Sequence, residues 1–281
     1  MSDRLRFEGK KVLVTGSGTG IGRGIALEFA REGADVALHY AHSAAGAKSA
    51  AAEIEAMGRR VVVLQANFED VDSVIKLGAE AVDALGGIDC LVNNSGITFN
   101  KPFLKITAEQ YNTVFSVNIR AQFFLTQNIV GHMLSRGGGG AIVNLTSIHG
   151  LQGAPEHAVY AATKGAIIAF TRTLGIELAH KGIRVNAIAP GWVMVENHHK
   201  IFPGYTDEGA IESARDSVPL GRPGFPVDIA RLALFLCSED AAYIVGQTII
   251  ADGGTTALMS LISDFRSESS ARCGLGYVAG V

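Results

Sequence analysis

Seven short apolar runs recur along the chain, each separated from the next by a helix-length segment, and this alternation constrains the fold more than any other feature. The runs are Val12–Val14, Val36–Leu38, Val61–Leu64, Cys90–Val92, Ala141–Leu145, Val185–Ile188 and Thr248–Ile250. They are rich in Val and Ile and mostly lack polar alternation, the pattern of strands buried on both faces of a parallel sheet. The intervening segments are Gly22–Glu32, Ala44–Met57, Val71–Leu85, Ala108–Leu134, Val159–Ala179 and Val227–Cys237. Strand–helix alternation predicts right-handed crossovers and an α/β doubly wound sheet with helices on both faces.

Composition narrows the class. The chain has 281 residues, 48% apolar and 18% charged, enough to bury a large core and too apolar for ordinary disorder. With 24 Lys plus Arg against 27 Asp plus Glu, there is no basic excess to suggest nucleic acid or a membrane surface. Cys90, Cys237 and Cys273 lie far apart, form no zinc ligand set or disulfide framework, and fit a reducing compartment. Met1–Lys11 is polar and no run approaches membrane-spanning length, so a soluble, cytoplasmic chain is expected. Two segments depart from the alternation. Met194–Pro226 has no clear strand and reads as a lid; the stretch after Gly254 ends in a Ser- and Gly-rich tail.

Immediately after the first apolar run comes Thr15-Gly16-Ser17-Gly18-Thr19-Gly20-Ile21-Gly22, opening a helix. Glycines permit a tight turn and close approach of backbone to a pyrophosphate, while the helix N-terminus offers free N–H groups and a positive dipole end. A flexible turn is the simpler reading of a glycine cluster, but its place between a strand and a helix favours a nucleotide.

Tyr160 and Lys164 stand four apart on a predicted helix and so share one face. Ser147 follows the strand Ala141–Leu145, at the end where open α/β sheets bind ligands. Removing hydride from a carbinol also requires removal of its hydroxyl proton. A phenol becomes a useful base when an ammonium and an oxidised nicotinamide favour the phenolate, and a serine hydroxyl can hold the reacting oxygen in line. Taken alone, a Tyr–Lys pair is more often simple helix surface.

The glycine spacing resembles the Thr-Gly-x-x-x-Gly-x-Gly signature of the short-chain dehydrogenase/reductase family, and further motifs follow in that family's order. Ser147, Tyr160 and Lys164 match its Ser-x12-Tyr-x3-Lys spacing. Asn93-Asn94-Ser95-Gly96 resembles its Asn-Asn-Ala-Gly motif, with Ser95 in place of Ala. Asn118 matches its helix asparagine, Pro190-Gly191 its turn after the sixth strand, and Asp252-Gly253-Gly254 the end of its core.

The resemblance implies a single Rossmann-type domain over residues 1–260, with a doubly wound parallel sheet of about seven strands. It implies Tyr160 as general acid/base, Lys164 lowering its pKa and binding the nicotinamide ribose, Ser147 orienting the reacting oxygen, and Asn118 supporting a proton relay through water. Cofactor contacts are expected from Gly16, Ser17, Thr19, Gly20, Ile21, Gly22, Tyr40, Asn67, Phe68, Asn94, Ser95, Gly96, Tyr160, Lys164, Pro190, Gly191 and Val193. Substrate contacts are expected from Ser147, His149, Gln152, His157 and Trp192.

Tyr40 stands where an NAD-preferring relative would carry Asp, and Val36–Ser43 contains no carboxylate. Ser17, His39, His42 and Ser43 are candidate phosphate partners, so NADP(H) is favoured, with NAD(H) or dual use open. Asn67 replaces an aspartate expected near the adenine amino group. Val195 replaces a threonine that touches the carboxamide, for which Glu196 and Asn197 are candidate substitutes. The polar loop Ile148–His157 and the Glu196–His199 stretch favour a sugar or polyol substrate, with a 3-oxoacyl thioester as the enzymatic alternative and a nucleotide-sensing scaffold as the non-enzymatic one. No metal set is evident. The resemblance further implies a homo-oligomer, a tetramer or dimer, and residues 261–281 read either as an extension that uses Arg266 or Arg272 to reach a neighbouring subunit or as a disordered tail.

Overall fold

The structure, a computed structural model, describes residues 5–259; the expected extension, with Arg266, Arg272 and Cys273, lies outside them. Seven parallel strands form one sheet in the order β3-β2-β1-β4-β5-β6-β7. They are β1 (Lys11–Val14), β2 (Asp35–Tyr40), β3 (Val61–Gln65), β4 (Cys90–Asn93), β5 (Gly140–Leu145), β6 (Ile183–Pro190) and β7 (Thr248–Ala251). The order reverses between β1 and β4, which pair directly from Val12–Cys90 to Val14–Val92. That reversal leaves a crevice beyond the carboxyl ends of the two strands.

Helices cover both faces. Those before Met194 are α1 (Gly20–Arg31), α2 (Ala44–Ala56), α3 (Val71–Leu85), α4 (Ala108–Phe115), α5 (Ala121–Ser135) and α6 (Ala158–Ala179). Then come α7 (His198–Ile201), α8 (Asp207–Ser217) and α9 (Pro226–Cys237). One apolar cluster joins α1, α2 and α9 to one side of the sheet through Ile25, Phe29, Val36 and Leu234. A second joins α3 and α5 to the other through Leu77, Leu125, Ile129 and Leu13. Adjacent residues of β1 fall in different clusters, as the alternating direction of strand side chains requires. Cys90 and Cys237 are buried free thiols in the first cluster.

Two segments depart from the sequence expectation. Ala108–Leu134 is not one regular helix: a π-helical turn, Ser116–Arg120, separates α4 from α5 and carries Asn118. Met194–Pro226 is not irregular throughout but contains α7 and α8. Thr206 caps α8 by accepting from the Gly209 N–H, and Asp207 and Glu208 suit the positive end of that helix. Gly224 ties the far end of the segment back, donating to the Trp192 carbonyl and accepting from Met194.

A polar bridge runs through the middle of the sheet. The Asn93 amide donates to Thr126 Oγ1 and Asn144 Oδ1, each at 2.9 Å, and Asn144 Nδ2 donates to Thr171 Oγ1 at 2.9 Å. All four residues are buried, so each lost partner costs a desolvated group its bond. Asn144→Ala is expected to destabilise the protein by about 3 kcal/mol, through unpaired Asn93 and Thr171 groups and a small cavity. Urea unfolding monitored by circular dichroism checks this.

Candidate active site

The glycine loop owes its shape to contacts on three sides. Gly16 has φ +63°, a left-handed conformation that favours glycine. At Gly22, a Cβ would stand 2.3 Å from the Gly16 carbonyl oxygen, so helix and loop can close only on a hydrogen atom. Asn94 Nδ2 donates to the carbonyls of Thr15 at 2.9 Å and Gly16 at 3.2 Å. Thr15 Oγ1 in turn accepts from the backbone N–H groups of Asn94 and Ser95. The buried Thr15 hydroxyl thus fastens the crevice between β1 and β4, a role that the sequence reading did not assign.

Above the loop lies a cleft of about 440 Å³. Gly16, Thr19, Gly20 and Ile21 line it from the loop, Tyr40 to Ser43 from the end of β2, Asn67 and Phe68 from the end of β3, and Asn94 to Ile97 from the end of β4. It is concave, has a helix N-terminus at its base, and suits a dinucleotide in shape and chemistry. The Ser17 side chain faces away from it, fully buried, with Oγ accepting from the His39 N–H at 3.0 Å. His39 is also buried and bonded on both ring nitrogens. Of the four candidate phosphate partners, only His42 and Ser43 are exposed at the cleft. Ser43 precedes α2 without capping it through its side chain. Asn67 Oδ1 already accepts from the Glu69 N–H at 3.0 Å.

Glu196, a candidate substitute for the carboxamide contact, reaches the glycine loop. Its Oε2 accepts from the Gly20 N–H at 2.8 Å, placing a carboxylate on the first turn of α1. Val195 packs over Gly20, its Cγ1 3.1 Å from where a Cβ would be. Pro190, Gly191 and Val193 follow at the end of β6, with the Gly191 N–H bonded to the Ala251 carbonyl at 3.0 Å.

The four candidate catalytic residues converge beside this cleft. Lys164, on α6, is buried and donates from Nζ to the Leu145 carbonyl at 2.9 Å, while Nζ stands 5.5 Å from the centre of the Tyr160 ring. Asn118 is fully buried on the π-turn. Its Oδ1 accepts from the Ile97 N–H at 2.8 Å, and Nδ2 donates to the Ile97 carbonyl and to Thr163 Oγ1. A Cβ on Gly96 would lie 3.4 Å from Asn118 Oδ1 and 3.5 Å from Lys164 Nζ, so both side chains border the spot that Gly96 leaves open. Ser147 follows β5 beside the Tyr160 phenol, its Oγ accepting from the His149 N–H at 3.2 Å.

Burial acts on both ends of the Tyr–Lys pair. It pushes the Tyr160 phenol above its usual value, opposed by the nearby Ser147 hydroxyl. It lowers the Lys164 ammonium to about 8. Without a cofactor charge, desolvation therefore outweighs the expected acidification of Tyr160 by Lys164.

His149 and His157 stack in parallel, with ring centres 4.6 Å apart, and both meet the Tyr160 ring edge-on at 5.8 and 6.4 Å. Burial and the neighbouring His157 lower the His149 pKa. Gln152 is tied elsewhere, donating to the Thr256 carbonyl at 3.4 Å. Trp192 is half-buried. Among the described residues, no group of three or more His, Cys, Asp or Glu side chains could hold a metal ion, and no helix is long and apolar enough to cross a membrane.

Comparison with known proteins gives the same picture. A family model described as enoyl-(acyl carrier protein) reductase matches residues 16–256. Versicolorin reductase 1 of Aspergillus parasiticus is 39% identical over 90% of this chain and 99% of its own. A hydroxynaphthalene reductase of Aspergillus fumigatus is 40% identical over 86% of this chain and 91% of its own. Among solved structures, a short-chain dehydrogenase of Burkholderia cenocepacia, in complex with NADP, superposes with TM-score 0.81 at 32% identity, covering 89% of this chain and 99% of that one.

The sign of the Lys164 effect on stability follows from its lowered pKa. Below pH 8 the lysine is charged in both folded and unfolded states, and the folded state bears the desolvation cost. Between pH 8 and 10.5 the folded state sheds its proton first, and the cost fades. Lys164→Met is expected to be more stable than the parent at pH 7, on the order of 1–3 kcal/mol, with a smaller margin at pH 10. Urea unfolding at the two pH values measures it.

Proposed function

This chain belongs to the short-chain dehydrogenase/reductase family, and from that premise we propose that it is an NADPH-dependent reductase that converts a ring carbonyl of a planar, polyoxygenated substrate to a hydroxyl group. Its broader class, a nicotinamide-dependent oxidoreductase acting on CH–OH or carbonyl groups, comes with the family. The observation that carries the reading is the convergence of Asn118, Ser147, Tyr160 and Lys164 at one end of the cleft.

When bound, the nicotinamide cofactor supplies the hydride. The glycine loop and the α1 N-terminus would hold its pyrophosphate once Glu196 leaves the Gly20 N–H, Phe68 and Asn67 would flank the adenine, and Lys164 would reach the ribose. The chain's own groups manage the proton. Tyr160 donates its hydroxyl proton to the substrate oxygen as charge develops there, and Ser147 donates a second hydrogen bond to the same atom. The Lys164 ammonium, 5.5 Å from the Tyr160 ring, stabilises the phenolate left behind. Asn118 fixes the Ile97 backbone beside them, and a water there would return a proton to the site. The segment 194–226 would close over the substrate as a lid.

Three features support NADP(H). No carboxylate stands at the end of β2 to repel a 2′-phosphate. His42, Ser43 and the α2 N-terminus are free to meet one. The Burkholderia relative was solved in complex with NADP. For the substrate, the flat imidazole pair against Tyr160 gives a ring a surface to lie on, and two relatives are named as a versicolorin reductase and a hydroxynaphthalene reductase. A sugar or polyol is the second reading, favoured by the polar edges of the same imidazoles. We also propose that the half-exposed apolar groups along α4 to α6, among them Tyr111 and Phe123, pack against a second copy in a homo-oligomer.

Reduced-nicotinamide absorbance, followed with hydroxynaphthalenones, sugars, polyols and 3-oxoacyl thioesters, tests these choices. Ring ketones with NADPH are expected to turn over fastest; preference for a thioester or an open polyol would overturn the substrate reading. Tyr160→Phe is expected to lower kcat by about 10³-fold and leave the NADPH Kd within about threefold. Tyr40→Asp is expected to weaken NADPH selectively, cutting its kcat/KM by at least about tenfold relative to NADH.

A further inference from the structure

We infer that His39 is a positioning residue for the cofactor, a neutral imidazole that pins the first turn of the glycine loop and backs the wall at the adenine end of the cleft. Its place at the end of β2 makes it a candidate phosphate partner, but its surroundings give it a different task. The Gly16 N–H donates to Nδ1 at 3.1 Å, and Nε2 faces the Ala66 carbonyl at 3.2 Å. A backbone amide can only donate and a carbonyl can only accept, so the contacts select one tautomer: bare Nδ1 and protonated Nε2. The ring lies flat on Phe68, with centres 4.3 Å apart and planes 12° apart. Ser95 Oγ stands 3.5 Å from the same Nδ1. One side chain therefore joins the loop after β1, the turn after β3 and the turn after β4, which are three walls of the cleft.

The backbone of His39 already holds Ser17, through the Ser17 N–H to the His39 carbonyl and the His39 N–H to Ser17 Oγ. The ring adds a hold on Gly16 itself, the residue with the left-handed turn. Burial lowers the imidazole pKa to about 4, which keeps the acceptor nitrogen bare at neutral pH. A protonated ring would face the Gly16 N–H with a second donor.

The inference rests on the nicotinamide cofactor reading above, and two substitutions separate the parts of the ring. Asn at position 39 can place its Oδ1 near the Nδ1 position, keeping an acceptor without the ring. Phe keeps the flat face and loses the acceptor. His39→Phe is expected to raise the NADPH Kd and KM by about tenfold, with kcat at saturating NADPH within about twofold of the parent. His39→Asn is expected to stay within about threefold on all three. An unchanged Kd in folded His39→Phe, or equal Kd losses in both variants, would overturn the assignment, as would a fall in kcat alone.

Nitrogen-15 NMR of histidine-labelled parent protein needs no variant to fold and no cofactor to bind. It should show His39 as the Nε2–H tautomer from about pH 5 to about pH 9. A protonated ring or the Nδ1–H tautomer in that range would refute the inference. If the tautomer is found but the parent binds no nicotinamide nucleotide, the cofactor reading fails and the hold on the loop stands.

Discussion

All seven strands run the same way, and that constraint governs everything that matters for chemistry here. Every strand-to-helix turn then falls on one edge of the sheet. The glycine loop after β1, the turn after β2, Asn67–Phe68 after β3, Asn94–Gly96 after β4, Ser147 after β5 and Pro190–Gly191 after β6 come together although they span most of the chain. The reversal of strand order between β1 and β4 opens the crevice, and the Thr15 hydroxyl keeps its two sides in register. Burial on both faces, by helices on each side, makes the strands apolar and frees the edge to be polar.

Within that edge, desolvation sets the electrostatics. It works against charge on Tyr160 and on Lys164 alike, raising one pKa and lowering the other. The resting site thus favours a protonated phenol, the form a reductase needs as an acid. In the reverse direction, the positive charge of an oxidised nicotinamide would favour the phenolate beside an ammonium already held by the Leu145 carbonyl. The same burial that costs stability at Lys164 lets a small charge change in the cleft move a proton.

Much of this was legible in the sequence. Each strand showed as a Val- and Ile-rich run because both faces of the sheet are covered. Val71–Leu85 was bounded correctly because Asp70 caps its start and Gly86, at φ +73°, ends it. Ser147, Tyr160 and Lys164 could be paired because the helix period places two of them on one face and the strand end supplies the third. The π-turn was not visible, since Ser116–Arg120 interrupts the backbone hydrogen bonds without interrupting the helical composition. Helix α8 was masked by Pro203 and Gly204 just before it, although Thr206 and its acidic neighbours carried the capping signal. The duties of Thr15 and His39 depend on partners after other strands. The only local sign was a single polar residue within the apolar Val36–Leu38 continuation.

The central claim is that one half-buried phenol, beside one buried ammonium, exchanges the reaction's proton. The most direct measurement is the ionisation of Tyr160 itself, by carbon-13 NMR of ring-labelled tyrosine with Tyr160→Phe assigning the signal. An apparent pKa above the ordinary value of a free phenol is expected in the free protein, falling below that value when oxidised cofactor binds. A Tyr160 signal that titrates at the same pH with and without the cofactor would contradict it.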